Sequence, residues 1–125
     1  MNAYVGWNGP YHQSLDFTHY ETYRKLGEVN KMSPADLFVF LDVNPESICW
    51  PYFGVMMQQD SFFNFPGSTH NYGAVISFAD GHAERHRWSD PRTIRAYSQN
   101  YHSHQEPSPN NVDIVWLRQR TTVPQ

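Results

Sequence analysis

The clearest hydrophobic pattern in the chain is an unbroken apolar run, Leu37-Phe38-Val39-Phe40-Leu41. Five apolar residues with no polar break predict a strand buried on both faces, and so central in its sheet. The second pattern is a pair of strand-like runs, GAVISFA and HAERHRW, flanking Asp80-Gly81. Asp-Gly favours a two-residue type I′ turn with positive φ at both positions, which predicts a hairpin over 73–88. That register pairs Ala79 with His82, Ser77 with Glu84, Val75 with His86 and Gly73 with Trp88. Phe78, Ile76 and Ala74 then share the core-facing side with Ala83, Arg85 and Arg87.

Elsewhere the pattern is weaker. Phe17, Tyr20, Tyr23 and Leu26 are spaced at three, which predicts a helix over Ser14–Val29 with Ser14 as cap and Gly27 at its end. Met1 to His12 is aromatic and interrupted by Asn8-Gly9-Pro10, as in a loop or edge strand. Residues 42–47 read as a loop, and the aromatic, Met-rich stretch 50–68 as a long, partly packed surface loop. Asp90-Pro91 opens a helical turn with Asp90 as cap. Residues 98–111 read as a flexible polar loop, Val112–Leu117 as a short apolar segment and 119–125 as a polar tail.

Composition narrows the class. A chain of 125 residues suits one domain, 1–125, with a modest core. Aromatics at 16% and charged residues at 17% exclude a disordered linker. Nine prolines and seven glycines imply many turns and short elements, and the mean hydropathy of −0.68 fits a small core under a wet surface. A net charge of −3 without a Lys/Arg cluster makes nucleic acid a poor partner. No apolar run approaches the ~18 residues of a membrane span. Cys49 is the only cysteine, so there is no disulfide framework, and between Ile48 and Trp50 its expected state is a buried inert thiol.

Candidate chemistry gathers in the hairpin. On a strand, Asp80, His82, Glu84 and His86 point to one side at about 6.5–7 Å intervals, and with His70 they offer imidazole and carboxylate ligands for zinc or a related cation. The same row also reads as the solvent-facing side of a hairpin, the more common use of such residues. His102 and His104 are further ligand candidates at unknown positions. No GxSxG nucleophile motif is present. Tyr4, Trp7, Tyr11, Trp50, Tyr52 and Phe53 suit either a sugar-stacking platform or, more commonly, an aromatic core.

Phe65-Pro66-Gly67-Ser68-Thr69-His70, nine residues, then Asp80-Gly81-His82-Ala83-Glu84 and Trp88 resemble the H-X9-DG motif of prepilin-type proteins related to type II secretion pseudopilins. Leu37–Asp42, Trp88–Thr93, Asp113–Leu117 and Arg120–Thr122 are similar to that family's flanking blocks. Arg85, where the family usually has an aliphatic residue, and Ser47-Ile48-Cys49-Trp50 depart from it. The resemblance implies an N-terminal leader and a long apolar helix ahead of residue 1, which would be the only route to the membrane. It also implies a location in the cell envelope, periplasmic or extracellular. Pseudopilins hold calcium in a C-terminal loop, and Asn110–Ile114 loosely resembles that loop, which makes Asp113 a candidate oxygen ligand.

The expected fold is α+β, like a pseudopilin head: a small antiparallel sheet of three to five strands, including 37–41, 73–79 and 82–88, with one or two helices on one face. The expected function is the globular head of a pseudopilin-like structural protein of a secretion or pilus-type assembly, acting through protein–protein contacts rather than catalysis. Two rivals stand beside it: a metal-dependent hydrolase built on His70, Asp80, His82 and His86, and a carbohydrate-binding module. His70, Asp80 and Gly81 are expected to be structural, with the His70 ring bonded to the backbone or to Asp80 and pinning loop 65–72 over the hairpin. The candidate metal ligands are His70, Asp80, His82, His86 and Asp113, for calcium or zinc. Phe38, Phe40, Ile76 and Phe78 are candidates for an apolar face that either contacts other pilin-like subunits or self-associates as a symmetric dimer, the favoured outcome, or is occluded by the aromatic segments 1–12 and 50–65.

Overall fold

The computed structural model describes residues 1–7, 9 and 12–125. Over these residues it is an α+β fold built on two antiparallel sheets and one short α-helix. β1 (Phe38–Leu41), β3 (Gly73–Phe78) and β4 (Ala83–Arg87) form a three-stranded sheet in the order β1-β3-β4. β2 (Ser61–Phe62) and β5 (Glu106–Pro107) form a two-stranded one. The helix, α1, spans Val112–Arg118, and the Asn111 side chain caps it by accepting from the Asp113 N–H.

The apolar run at 37–41 is a strand, but it lies at the edge of the sheet. β3 is the central strand, and Phe40 on β1 is 56% exposed. A bulge between Phe38 and Phe40 explains why Phe38 is buried while Phe40, two residues on, is not. The bulge breaks the alternation and lets one end of an apolar strand face outward.

The hairpin forms with its register moved by one residue. Gly73 pairs with Arg87, Ala74 with His86, Val75 with Arg85, Ile76 with Glu84 and Ser77 with Ala83. The turn holds three residues, Ala79-Asp80-Gly81, and only Gly81 has positive φ, at 94°. A single left-handed glycine closing a three-residue loop is the next most common hairpin solution. Because side chains alternate with period two, the shift exchanges the faces. His82, Glu84 and His86 lie on the side of Ile76 and Phe78, while Arg85 and Arg87 face outward with Val75. The primed-turn signature of two successive positive φ values appears instead at Asn71 (54°) and Tyr72 (60°), just before β3.

The helix expected over Ser14–Val29 is absent. Only a 3₁₀ turn at Leu26–Glu28 forms there. Asp16 Oδ1 accepts from the N–H groups of Thr18 (3.1 Å) and His19 (3.0 Å), an alternative that competes with helix formation. Tyr20 and Tyr23 are extended and bridge to Pro124 and Val5. The three-residue spacing of aromatics therefore reflects burial against distant segments.

Stretch 50–68 is core rather than surface loop. Phe53, Val55, Phe62 and Phe65 join Phe38, Ala74, Ile76, Phe78, Trp88, Ile114 and Leu117 in the main cluster. Tyr52, Met56 and Phe63 pack with Ala3, Tyr4 and Leu15 in a second. Of the two outcomes expected for the apolar sheet face, occlusion by segment 50–65 is the one seen, with Phe38, Ile76 and Phe78 buried and Phe40 alone of the four exposed. The expected tail is packed as well. Thr121 and Thr122 are buried, and the Asn2 amide donates to the carbonyls of Phe38 and Thr121 (both 2.9 Å). The expected turn at Asp90-Pro91 forms, with the Asp90 side chain accepting from the Arg92 N–H.

Candidate functional site

The loop before β3 is fastened by Asp42, not by Asp80. His70 Nε2 lies 3.1 Å from Asp42 Oδ2. The same carboxylate oxygen accepts from the Val75 N–H (3.0 Å), and the Asp42 carbonyl accepts from the Gly67 N–H (2.7 Å). The Trp88 indole N–H reaches back to the Gly67 carbonyl at 2.8 Å. The His70 ring thus lies beside Asp42, at the end of β1, and not beside Asp80, the carboxylate expected. β1 follows the 33–36 turn and runs alongside β3, which brings Asp42 to the start of β3, whereas Asp80 is at its far end.

Asp80 turns toward its own strand. Its carboxylate accepts from the His82 N–H (3.0 Å) and meets His82 Nδ1 at 2.5 Å. These two bonds hold the Asp80 carboxyl below its ordinary pKa, the backbone bond foremost, and the Asp80 hydrogen bond raises that of His82. The His82 ring stacks flat on Phe78, centroids 4.4 Å apart. His86 stacks on Trp116 at 3.7 Å, and burial lowers its pKa. Of the candidate ligands, then, Asp80 and His82 are brought together, while His70 and His86 have separate partners.

Asp113 is buried in a tight knot of donors. Its carboxylate accepts from the N–H groups of Ser89 (2.9 Å) and Asp90 (2.9 Å) and from the Thr93 hydroxyl (2.6 Å). Both oxygens accept hydrogen bonds inside the protein, which gives Asp113 a structural role. The carboxylate joins the N-terminus of α1 to the chain leaving β4.

A different group of ligand-type side chains does converge. One ligand atom each from Cys49, His102 and His104 lies within 4.8 Å of the other two. Cys49 is exposed as a residue, contrary to the buried thiol expected. Its Sγ lies 2.9 Å from His104 Nε2, and partial burial of the thiol raises its pKa. His104 is buried, adopts φ 59° and stacks on Phe63 with centroids 4.4 Å apart. Its Nδ1 lies 3.0 Å from the Phe63 carbonyl. A carbonyl only accepts, so Nδ1 carries the proton and Nε2 presents a lone pair to Cys49. His12, whose ring lies 5.4 Å from that of His104, has its pKa lowered by burial first and then by His104. Chain folding brings the two segments together. The Tyr101 N–H donates to the Glu46 carbonyl (3.0 Å), and the Ser47 hydroxyl donates to the Tyr101 carbonyl (3.3 Å). His102-Ser103-His104 was the legible half of this group. Cys49, 55 residues from His104, has no spacing signal that could link it.

Of the aromatic platform, Tyr4, Tyr52 and Phe53 are buried core residues, and Trp7 and Trp50 pack against that core. Tyr11 lies outside the described residues. No family model, curated protein or solved structure matches the chain.

Proposed function

We propose that this chain is the globular head of a pseudopilin-like structural protein, exported to the cell envelope and acting through protein–protein contacts in a secretion or pilus-type assembly. The observation that carries this reading is the use made of the H-X9-DG residues. Gly67, His70, Gly81 and Trp88, together with Asp42, are spent on fastening a loop and closing a hairpin, which is what a scaffold asks of a motif. No helix among the described residues is long and apolar enough to cross a membrane. In this reading, membrane attachment belongs to a preceding segment.

The test is the native protein's own N-terminus. Intact-mass and N-terminal peptide analysis of material purified from the source cells is expected to find a processed end on an apolar segment of about 20 residues joined to this domain. A native chain that begins at Met1 and stays in the cytosolic fraction would refute the reading.

A further inference from the structure

Cys49, His102 and His104 sit on two loops outside both sheets, and nothing in the hairpin or the H-X9-DG block uses them. We propose that they form a zinc site, with the Cys49 thiolate, His104 Nε2 and a ring nitrogen of His102 as ligands and the fourth position open to solvent.

The donor set selects the metal. One sulfur and two imidazole nitrogens suit zinc, whereas calcium and magnesium require oxygen ligands. The geometry is close to what the ion needs. Zinc–sulfur and zinc–nitrogen bonds of about 2.3 and 2.0–2.1 Å at a tetrahedral angle place ligand atoms roughly 3.5 Å apart. The observed separations bracket that value, from 2.9 Å between Sγ and Nε2 to no more than 4.8 Å across the group. Cys49 and His102 are exposed, so both have room to adjust.

His104 is already prepared. Its ring is buried against Phe63, and the bond from Nδ1 to the Phe63 carbonyl fixes the tautomer that leaves Nε2 free to ligate. A second hydrogen bond from the non-ligating nitrogen is the usual support of a metal-bound histidine. Binding replaces the hydrogen shared between Cys49 and His104. The zinc–sulfur bond forms as the thiol proton leaves to solvent, so one proton is released per ion and no electron is transferred. The bound ion would clamp the 47–50 segment to the 101–104 loop.

The experiment uses the whole 125-residue chain, reduced and freed of metal with a chelator. Zinc is titrated against a competing indicator, and cobalt(II) is added in parallel as a spectroscopic probe. One ion per chain is expected, with a sulfur-to-cobalt charge-transfer band and the visible bands of tetrahedral cobalt. Cys49→Ser should abolish the charge-transfer band. His102→Ala should weaken zinc binding by more than the ~10–100-fold that loss of a supporting contact causes. Retained affinity in both variants, or cobalt binding without the sulfur band, would overturn the proposal. Alkylation of Cys49 in the unmutated chain gives a readout that needs no variant. Zinc should slow it at least about tenfold, since a ligated thiolate is shielded. An unchanged rate would also refute the site.

Discussion

At the scale of single residues, two glycines show that the same residue type serves two different needs. Gly81 has φ 94° and open space around it, so a side chain there is opposed only by the backbone conformation. Gly73 is needed for close approach, because a Cβ would stand 2.1 Å from the His86 carbonyl oxygen. Gly81→Ala should therefore cost about 1–2 kcal/mol, and Gly73→Ala about 3 kcal/mol or more, since rigid backbone must move. Urea denaturation of both variants checks the order, and a larger loss at Gly81 would contradict it. The histidines of β4 give opposite pH responses. His82 is raised by the Asp80 hydrogen bond, so its contribution is full below the ordinary value of about 6.5 and is lost as pH rises through its folded pKa. Asp80 is lowered, so its contribution fades as pH falls below about 4. His86 is lowered by burial, with Arg120 adding to this and the carboxylates of Asp113 and Glu84 opposing it. Its neutral ring is fully favoured above about 6.5, and acidification below that destabilises the fold. An NMR titration should place His82 above 6.5 and His86 below it. The reverse order would show that the two environments are assigned wrongly.

At the scale of elements, the start of α1 and the chain leaving β4 depend on one carboxylate. α1 has seven residues, too few to persist by helix propensity alone. Asp113 satisfies the Ser89 and Asp90 N–H groups and the Thr93 hydroxyl from a buried position. Asp113→Ala leaves these donors without their acceptor and should cost about 3 kcal/mol, within the range for exposing several buried polar groups to an apolar gap. Thermal and urea unfolding measure it, and a loss under ~1 kcal/mol would mean that water replaces the carboxylate freely.

At the scale of the whole molecule, the two ends of the chain close the structure together. The Asn2 side chain joins the N-terminal segment to β1 and to Thr121, 119 positions away. Asn2→Ala should lower stability by about 2–3 kcal/mol, because two buried carbonyls lose their donor. The aromatic segments that cover Phe38, Ile76 and Phe78 also bear on association. The outward face of the sheet carries Phe40 and Val75 beside Arg85 and Arg87. A patch so interrupted by charge gives the isolated chain little reason to dimerise, and sedimentation equilibrium over a roughly hundredfold concentration range should find a monomer. A concentration-dependent dimer would show that another surface associates.

The chain by itself determined the strand at 38–41, the hairpin, the capped turn at Asp90 and the α+β class. Each rests on local physics: apolar continuity, a glycine at a turn, a carboxylate before proline. The register of that hairpin was not local. Two turns compatible with Asp80-Gly81 differ by one residue, and only packing of Phe78 and Ile76 against segments 50–65 and α1 selects between them. The same packing decided which side of β4 its histidines occupy. The absent helix at 14–29 has a related cause, since aromatic spacing encodes burial without stating against what. The Cys49–His102–His104 group was the least legible of all. Its members are brought together by hydrogen bonds between loops, such as those of Ser47 and Glu46 with Tyr101. Side chains so far apart in the chain become neighbours only when the tertiary fold closes, and no periodicity in the chain records that.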